Sequence, residues 1–251
     1  MKKLALVALA CVPVALFLMA CDSGASPSAS GSPNQVGVLH PESELPAPGQ
    51  VTDAQVREAY GFARDADVQV QRLETGAYRE PFGSLSEMTS RVDVVALVTP
   101  LQRKSVVYPE AAGRREVAWT LFLVRVDEVI KGSVSVGDIL TVAIVGGPVA
   151  DREVPAMGPA SLVPGPADRV VVRVFDDYPL YLPGRQELAF LGSYIHPQFG
   201  EQWWGSYGEG RYVVTSSGQL VAAASAPAEG ATVRNEVAGR TLSDIRGVAK
   251  P

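Results

Sequence analysis

Residues 116-EVAWTLFLVRVDEVI-130 form a long stretch in which β-branched, aromatic and other apolar side chains dominate. Such a composition favours a β-strand. Lys131-Gly132 ends the stretch, and Gly137-Asp138 leads into a second apolar run, 139-ILTVAIV-145, which Gly146-Gly147-Pro148 closes. We expect the two runs to pair as an antiparallel hairpin, because turn residues separate two β-prone segments.

Other short β-prone runs surround this hairpin. Residues 92–99 are almost continuously apolar and precede Pro100, which predicts a buried strand that stops at the proline. Further strands are predicted at residues 169–175, 187–191, 212–216 and 219–224. The last two are joined by Ser217-Gly218, a dipeptide suited to a tight hairpin turn. The 24 glycines and 19 prolines in 251 residues likewise indicate many short elements joined by turns.

Three short helices are predicted beside the strands. Each begins with a serine or threonine followed three residues later by a polar side chain that can complete the cap: Thr52 with Gln55, Ser84 with Glu87, and Thr241 with Asp244. The chain is therefore predicted to be mainly β, with one antiparallel domain over residues 83–226. A helical lead-in at 51–82 and a C-terminal segment with a short helix at 227–251 flank it. A small barrel and a sandwich both remain open.

Composition also limits the classes of partner. Lys and Arg number 22 against 27 Asp and Glu, which gives a net charge of −5. A nucleic-acid partner is not expected, because phosphate binding depends on clustered basic residues. The hydrophobic fraction of 47% is that of a foldable globular chain.

The amino end has the layout of a secretory signal, with Lys2 and Lys3 before an apolar run that Pro13 interrupts. The residues Leu18-Met19-Ala20-Cys21 resemble the lipobox of bacterial lipoproteins. The resemblance implies that residues 1–20 are removed, that the Cys21 thiol receives a diacylglyceryl group, and that the new amino terminus is acylated as well. Cys21 would then hold the protein on the extracytoplasmic side of the cell membrane, with inner and outer membrane left open.

Residues 21–50 are rich in Ser, Gly and Pro and predict a disordered tether between the anchor and the domain. Cys11 lies in the expected signal, so no cysteine nucleophile or disulfide is expected in the mature chain. The two histidines, His40 and His196, lack ligand spacing, and no metal is expected. No phosphate-binding or dinucleotide loop occurs, which predicts no cofactor.

Two clusters of residues are candidates for a site. Asp176-Asp177 is the densest acidic pair and could serve acid and base roles in hydrolysis. Catalysis by Ser193 or Ser206 with His196 is disfavoured, because no G-x-S-x-G motif exposes a serine. The second cluster is the most aromatic part of the chain, and its rings could stack on sugars or anchor a protein partner: Trp203, Trp204, Tyr207 and Tyr212.

Three short segments resemble motifs of netrin-like domains and tissue inhibitors of metalloproteinases: 92-VDVV-95, 126-VDEVIKG-132 and 184-GRQELAFL-191. The resemblance implies a barrel of the oligosaccharide/oligonucleotide-binding type. It implies nothing about protease inhibition, since those inhibitors use an amino-terminal cysteine held by disulfides.

The sequence therefore predicts a lipid-anchored binding or envelope-associated protein, with an envelope protein or polysaccharide as partner and no evident catalytic machinery. That interpretation expects Trp203 or Trp204 to be exposed. An envelope-polymer hydrolase using Asp176 and Asp177 is the alternative, so enzyme activity stays open. A structural lipoprotein that associates with another copy of itself is a third interpretation.

Overall fold

The computed structural model describes residues 51–73, 82–108, 118–151, 163–175, 178, 180–223 and 232–249, and within the last strand pair it leaves the side chains of 207–209 undescribed. Eight strands and four short helices lie in these ranges. The strands are β1 (Gln69–Leu73), β2 (Val94–Val107), β3 (Trp119–Lys131), β4 (Ile139–Ala150), β5 (Val170–Phe175), β6 (Glu187–Ile195), β7 (Gln202–Val214) and β8 (Leu220–Ala222). The helices are α1 (Asp53–Ala59), α2 (Leu85–Arg91), α3 (Thr232–Val237) and α4 (Leu242–Ala249).

The strands form one sheet in the order β1-β5-β4-β3-β2-β6-β7-β8. β4 also pairs with β7, so that β4, β3, β2, β6 and β7 make a ring of hydrogen-bonded neighbours. The prediction of a mainly β fold with short helices is confirmed. The sheet is mixed rather than wholly antiparallel, because β1–β5 and β4–β7 are parallel pairs.

The central hairpin is confirmed, with β3 and β4 paired from Arg125 opposite Ile139 to Trp119 opposite Val145. The expectation that Gly146-Gly147-Pro148 closes the second strand is wrong. β4 continues through these residues to Ala150 and exchanges β3 for β5 as its partner. Gly146 has a φ of 116°, and a Cβ there would lie 2.6 Å from the carbonyl oxygen of Arg173, so glycine permits the exchange.

Pro100 does not end β2, which runs on to Val107. Pairing with β6 has already stopped at Val98, and the register with β3 shifts between Pro100 and Gln102. At Pro100, β2 is therefore irregular and paired in register only with β3. Proline lacks an N–H donor, and it is tolerated at such a position.

The three predicted helix starts are confirmed. Thr52 and Gln55 form the reciprocal capping box of α1, Ser84 caps α2, and Asp244 accepts from the Thr241 amide at the start of α4. α3 and β1 were not predicted. β1 alternates poorly between buried and exposed positions, so that its sequence carries little period-two signal. Among the described residues, no helix is long and apolar enough to cross a membrane.

Successive side chains along each strand point to opposite faces of the sheet, and the two faces pack into two separate hydrophobic cores. Side chains facing the interior of the ring include Ala189 and Leu191 of β6, and Val56 of α1 and the C-cap residue Tyr60 pack with them. The opposite faces of β6 and β7 pack beneath α2, α3 and α4. The members of this second core that are fully buried include Leu85, Met88, Leu188, Phe190, Tyr212, Leu220 and Ile245.

Residues of the segments 92–95 and 126–132 stabilise the junction between α2, β2 and β3. The Lys131 ammonium donates to the carbonyls at the end of α2, those of Thr89, Ser90 and Val92. Gly132 has a φ of 114°, and a Cβ there would lie 2.5 Å from the Asp93 carbonyl oxygen. The Asp93 carboxylate accepts from the amide and hydroxyl of Ser193 at 2.7 and 3.0 Å. Residues 92–95 and 126–132 therefore have a structural role in this chain.

Candidate functional site

The predicted exposure of Trp203 or Trp204 is wrong, because their exposed fractions are 1% and 8%. Residues 202–214 form a strand of the ring rather than a loop, so the adjacent tryptophans face its two sides. Trp204 lies in the interior core, and Trp203 packs outside against Leu121 and Ala143. Tyr212 is fully buried under the helices, and the Tyr207 side chain lies outside the described residues.

Trp203 belongs to an outer aromatic cluster at the turn between β6 and β7, formed with Tyr194, His196 and Phe199. The Trp203 ring centroid lies 4.3 Å from that of His196 and 5.3 Å from that of Phe199, and it meets Tyr194 edge-on at 6.1 Å. The Trp203 indole N–H donates to Glu201 at 3.3 Å. The rings mainly cover one another, which makes this cluster a packing feature of the hairpin.

The catalytic candidates do not come together in the described part of the chain. Asp176 and Asp177 lie outside the described residues, so the hydrolase alternative stays a prediction. Ser193 donates its hydroxyl to Asp93, and His196 accepts from the Gln198 amide at 3.3 Å, so neither serves a serine–histidine pair. No group of three or more His, Cys, Asp and Glu side chains suited to a metal occurs within the described ranges.

The structure instead places charged groups inside the ring, at the opposite end of the β6–β7 pair. We call Tyr181, Arg185, Glu187, Ser206 and Arg211 the interior charge cluster. All five are buried, and the three charged side chains are at most 3% exposed. Glu187 begins β6, and Arg211 lies opposite Ala189 on β7, which directs both side chains to the interior face.

Glu187 lies between two guanidinium groups. Arg185 donates through Nε and Nη2 to Glu187 Oε1 at 3.1 and 2.9 Å. Arg211 donates through the same two atoms to Oε2 at 2.9 and 2.7 Å. Since arginine keeps its proton under all ordinary conditions, the three side chains carry a formal charge of +1 in a region removed from solvent.

The Arg211 guanidinium packs on the ring of Tyr181 as a cation–π contact, with its central carbon 3.5 Å from the ring centroid. Burial raises the pKa of Tyr181 to about 12, an effect that Arg211 and the Ser206 hydroxyl oppose and Glu187 reinforces. At neutral pH the phenol therefore keeps its proton and is available as a hydrogen-bond donor.

Three polar atoms of the cluster are buried with no hydrogen-bond partner outside it among the described residues: Arg185 Nη1, and the hydroxyl oxygens of Tyr181 and Ser206, which interact with each other. Leaving a buried polar group unsatisfied costs about 1–3 kcal/mol, and more for a charged group. Their grouping in one place is unusual for a purely structural core, because native interiors satisfy nearly all such atoms.

The cluster was missed by the sequence reasoning. The four glycines at 200, 205, 208 and 210 are typical of a loop or hairpin rather than a strand, and they therefore conceal the inward direction of Arg211. The usable signal was the spacing Arg185-x-Glu187 at the start of a predicted strand, where charges at alternate positions share one face. Comparison of the chain with protein-family models, curated proteins and solved structures found no match.

Proposed function

We propose that this chain is a lipid-anchored protein on the extracytoplasmic side of the cell membrane, and that its ring of strands is a binding module rather than an enzyme. Its partners are the membrane, through the anchor, and a component of the cell envelope. The binding role no longer draws support from Trp203 and Trp204, because both are buried.

The observation that carries the binding role is the interior charge cluster. Buried ion pairs contribute little net stability, and apolar residues of the same volume are often as stable. Two guanidinium groups around one carboxylate, with Arg185 Nη1 left without a partner among the described residues, therefore suit a ligand site better than a structural core.

The same geometry favours binding over catalysis. Both carboxylate oxygens of Glu187 accept two hydrogen bonds each from the flanking arginines. Such bonds occupy the lone pairs that a general base needs to take a proton. Glu187 is therefore suited to orient Arg185 and Arg211.

Support for the anchor comes from the sequence. Leu18-Met19-Ala20-Cys21 resembles a lipobox, and the Ser-, Gly- and Pro-rich residues 21–50 separate it from α1. A flexible chain of that length spans about 30 Å, enough to hold the domain clear of the lipid headgroups. Two or more acyl chains are needed for stable anchoring, which matches the acylation pattern that the resemblance implies.

The anchor is tested by feeding cells an alkyne analogue of palmitate and measuring label on the purified, tagged protein. We expect label on the parent and on Cys11→Ser, because Cys11 lies in the expected signal, and no label on Cys21→Ser. Digestion of intact spheroplasts with an external protease should remove the domain. Label that persists on Cys21→Ser, or a domain protected from the protease, would contradict the proposal.

A further inference from the structure

We propose that one end of the ring of strands lies on the surface of the membrane that holds the anchor, with the β3–β4 turn and the β6–β7 turn contacting lipid. This inference rests on the anchor proposed above and adds an interaction surface to it. Four exposed side chains on these turns define what we call the apolar end of the ring: Val136, Ile139, Ile195 and Phe199.

The strand pairing places the two turns side by side. β4 and β7 are parallel neighbours, with Val142 opposite Trp204. β4 begins three residues before Val142 and β7 begins two residues before Trp204, so the starts of the two strands differ in level by about 3 Å. The turns that precede the two strands therefore lie at the same end of the ring.

Exposed apolar side chains are concentrated at this end. Six large apolar side chains are exposed among the described residues, and the four on these turns are between 39% and 68% exposed. Single exposed apolar residues are ordinary on a protein surface, whereas a group of them marks a surface that contacts a partner or a membrane. The ring of Trp203 stacks on that of Phe199 at 5.3 Å and supports the β6–β7 turn from the protein side.

The two turns carry little charge. Residues 132–139 and 195–200 contain Asp138 and no other Asp, Glu, Lys or Arg. The Asp138 carboxylate accepts from the Ser135 amide at 2.8 Å within its own turn. Without clustered Lys and Arg, contact with a bilayer depends on burial of apolar surface and not on attraction to anionic lipid. Vesicles of phosphatidylcholine, which has no net charge, are therefore an appropriate probe.

The size of the apolar end favours a lipid surface over a second copy of the chain. Four side chains exposed to this extent present on the order of 400 Å², whereas stable protein–protein interfaces bury about 800 Å² on each partner. A weak contact with lipid is sufficient for a tethered domain, because the anchor keeps the domain at high effective concentration beside the bilayer. A tether long enough to hold the domain clear of the headgroups also lets it turn this end towards them.

The test measures lipid contact at both ends of the ring in the full-length, lipidated chain, reconstituted in phosphatidylcholine vesicles. Each variant carries one new cysteine at an exposed position, labelled with a fluorescent nitrobenzoxadiazole dye. Ser133→Cys and Gln198→Cys place the dye in the two turns. Ser216→Cys is the matched control, because β7 starts at the apolar end and Ser216 follows its other end. The thiol of Cys21 does not react with the dye when it is lipidated.

A nitroxide group on the lipid acyl chain near the headgroup quenches the dye only at short range. We expect the nitroxide lipid to remove at least half of the emission from Ser133→Cys and from Gln198→Cys. The emission from Ser216→Cys should stay nearly unchanged.

Ile195→Ser tests whether the apolar side chains themselves make the contact. The dye stays at Ser133→Cys, on the other turn, so that the substitution does not alter the surroundings of the probe directly. We expect the quenching to fall by at least half. Val221→Ser is the matched control and should leave the quenching unchanged, since Val221 is also exposed but pairs with Val213 at the end of the ring where β6 begins. Circular dichroism checks that both variants fold.

Equal quenching at all three labelled positions, or none at either turn, would overturn the lipid contact. An equal effect of Ile195→Ser and Val221→Ser would overturn it as well. A shift of the dye emission to shorter wavelength that grows with protein concentration, without quenching by the nitroxide lipid, would mean that a second copy of the chain covers this end instead.

These results are distinguished from failure of the proposed anchor by two measurements on the same preparation, the alkyne label on Cys21 and flotation of the protein with the vesicles. A labelled protein that floats but shows no quenching at the two turns would retain the anchor and lack this contact.

Discussion

The two ends of the β6–β7 pair bury aromatic and polar groups in opposite ways. At the turn end, Trp203 is covered by other rings and its single N–H reaches Glu201. At the far end, Glu187 and two arginines are enclosed, and Nη1 of Arg185 has no hydrogen-bond partner among the described residues. Rings that cover one another need no further partner, whereas buried charges with unpartnered donors do. The outer aromatic cluster therefore contributes stability, and the enclosed charges support the proposal that the interior charge cluster binds a ligand.

Removing one negative charge from each end of the β6–β7 pair should give the largest difference in the free energy of unfolding. Glu187→Gln removes the negative charge that lies between two buried guanidinium groups, and breaking a buried pair in this way costs about 3–5 kcal/mol. We expect a loss of that size in the free energy of unfolding, measured by urea denaturation, or a chain that does not fold.

Glu201→Gln is the matched control, because Glu201 makes the corresponding contacts at the turn end, with Trp203 and with the exposed Lys104. Solvent screens those contacts, and only a small change in the free energy of unfolding is expected. If the two variants lost stability equally, the contrast between enclosed and solvated charge would not hold.

The elements that the sequence predicted well are those with strong local signals. The hairpin of β3 and β4 has turn residues between two β-prone runs, and all three predicted helices begin at side chains that cap them in the structure. The misses depend on tertiary partners. β4 passes through Gly146 because β5 is there to pair with it, and β1 exists because β5 offers a parallel edge.

The candidate site was less predictable than the fold. Trp203 and Trp204 were selected for their size and proximity, but their exposure depends on whether residues 202–214 are strand or loop, and the glycines in that segment suggested a loop. Arg211 follows the last of these glycines. Its partner Glu187 is 24 positions away, so no local pattern links them. Only the register of β6 against β7 brings the two together.

The second prediction concerns the packing of the outer aromatic cluster. Trp203→Ala removes a side chain that is 1% exposed, and we expect the free energy of unfolding to fall by about 3–4 kcal/mol, because a large cavity remains. Phe199→Ala should cost markedly less, since Phe199 is 39% exposed. Urea denaturation checks both. If a Trp203→Ala variant kept its stability but lost an envelope partner, the outer aromatic cluster and not the interior charge cluster would be the binding surface.

The third prediction uses the two tyrosines in alkaline solution. Burial raises the pKa of both Tyr181 and Tyr194 to about 12, against 10.0 for an unburied tyrosine. Each therefore stabilises the folded state fully below pH 10, and this contribution is lost as the pH rises from 10 towards 12, where the unfolded chain ionises first. For the enclosed Tyr181 the loss is about 2–3 kcal/mol, at about 1.4 kcal/mol per pKa unit.

Urea denaturation below pH 10 and near pH 12 measures that loss in the parent and in each Tyr→Phe variant. Tyr181→Phe should lose less stability over this range than the parent, because phenylalanine has no proton to release. Tyr194→Phe should show a smaller difference from the parent, since Tyr194 is only partly buried and nearby solvent reduces the free-energy cost of ionising it. Equal behaviour of the two variants would mean that Tyr181 is no more enclosed than Tyr194, and the interior charge cluster would then be open to water.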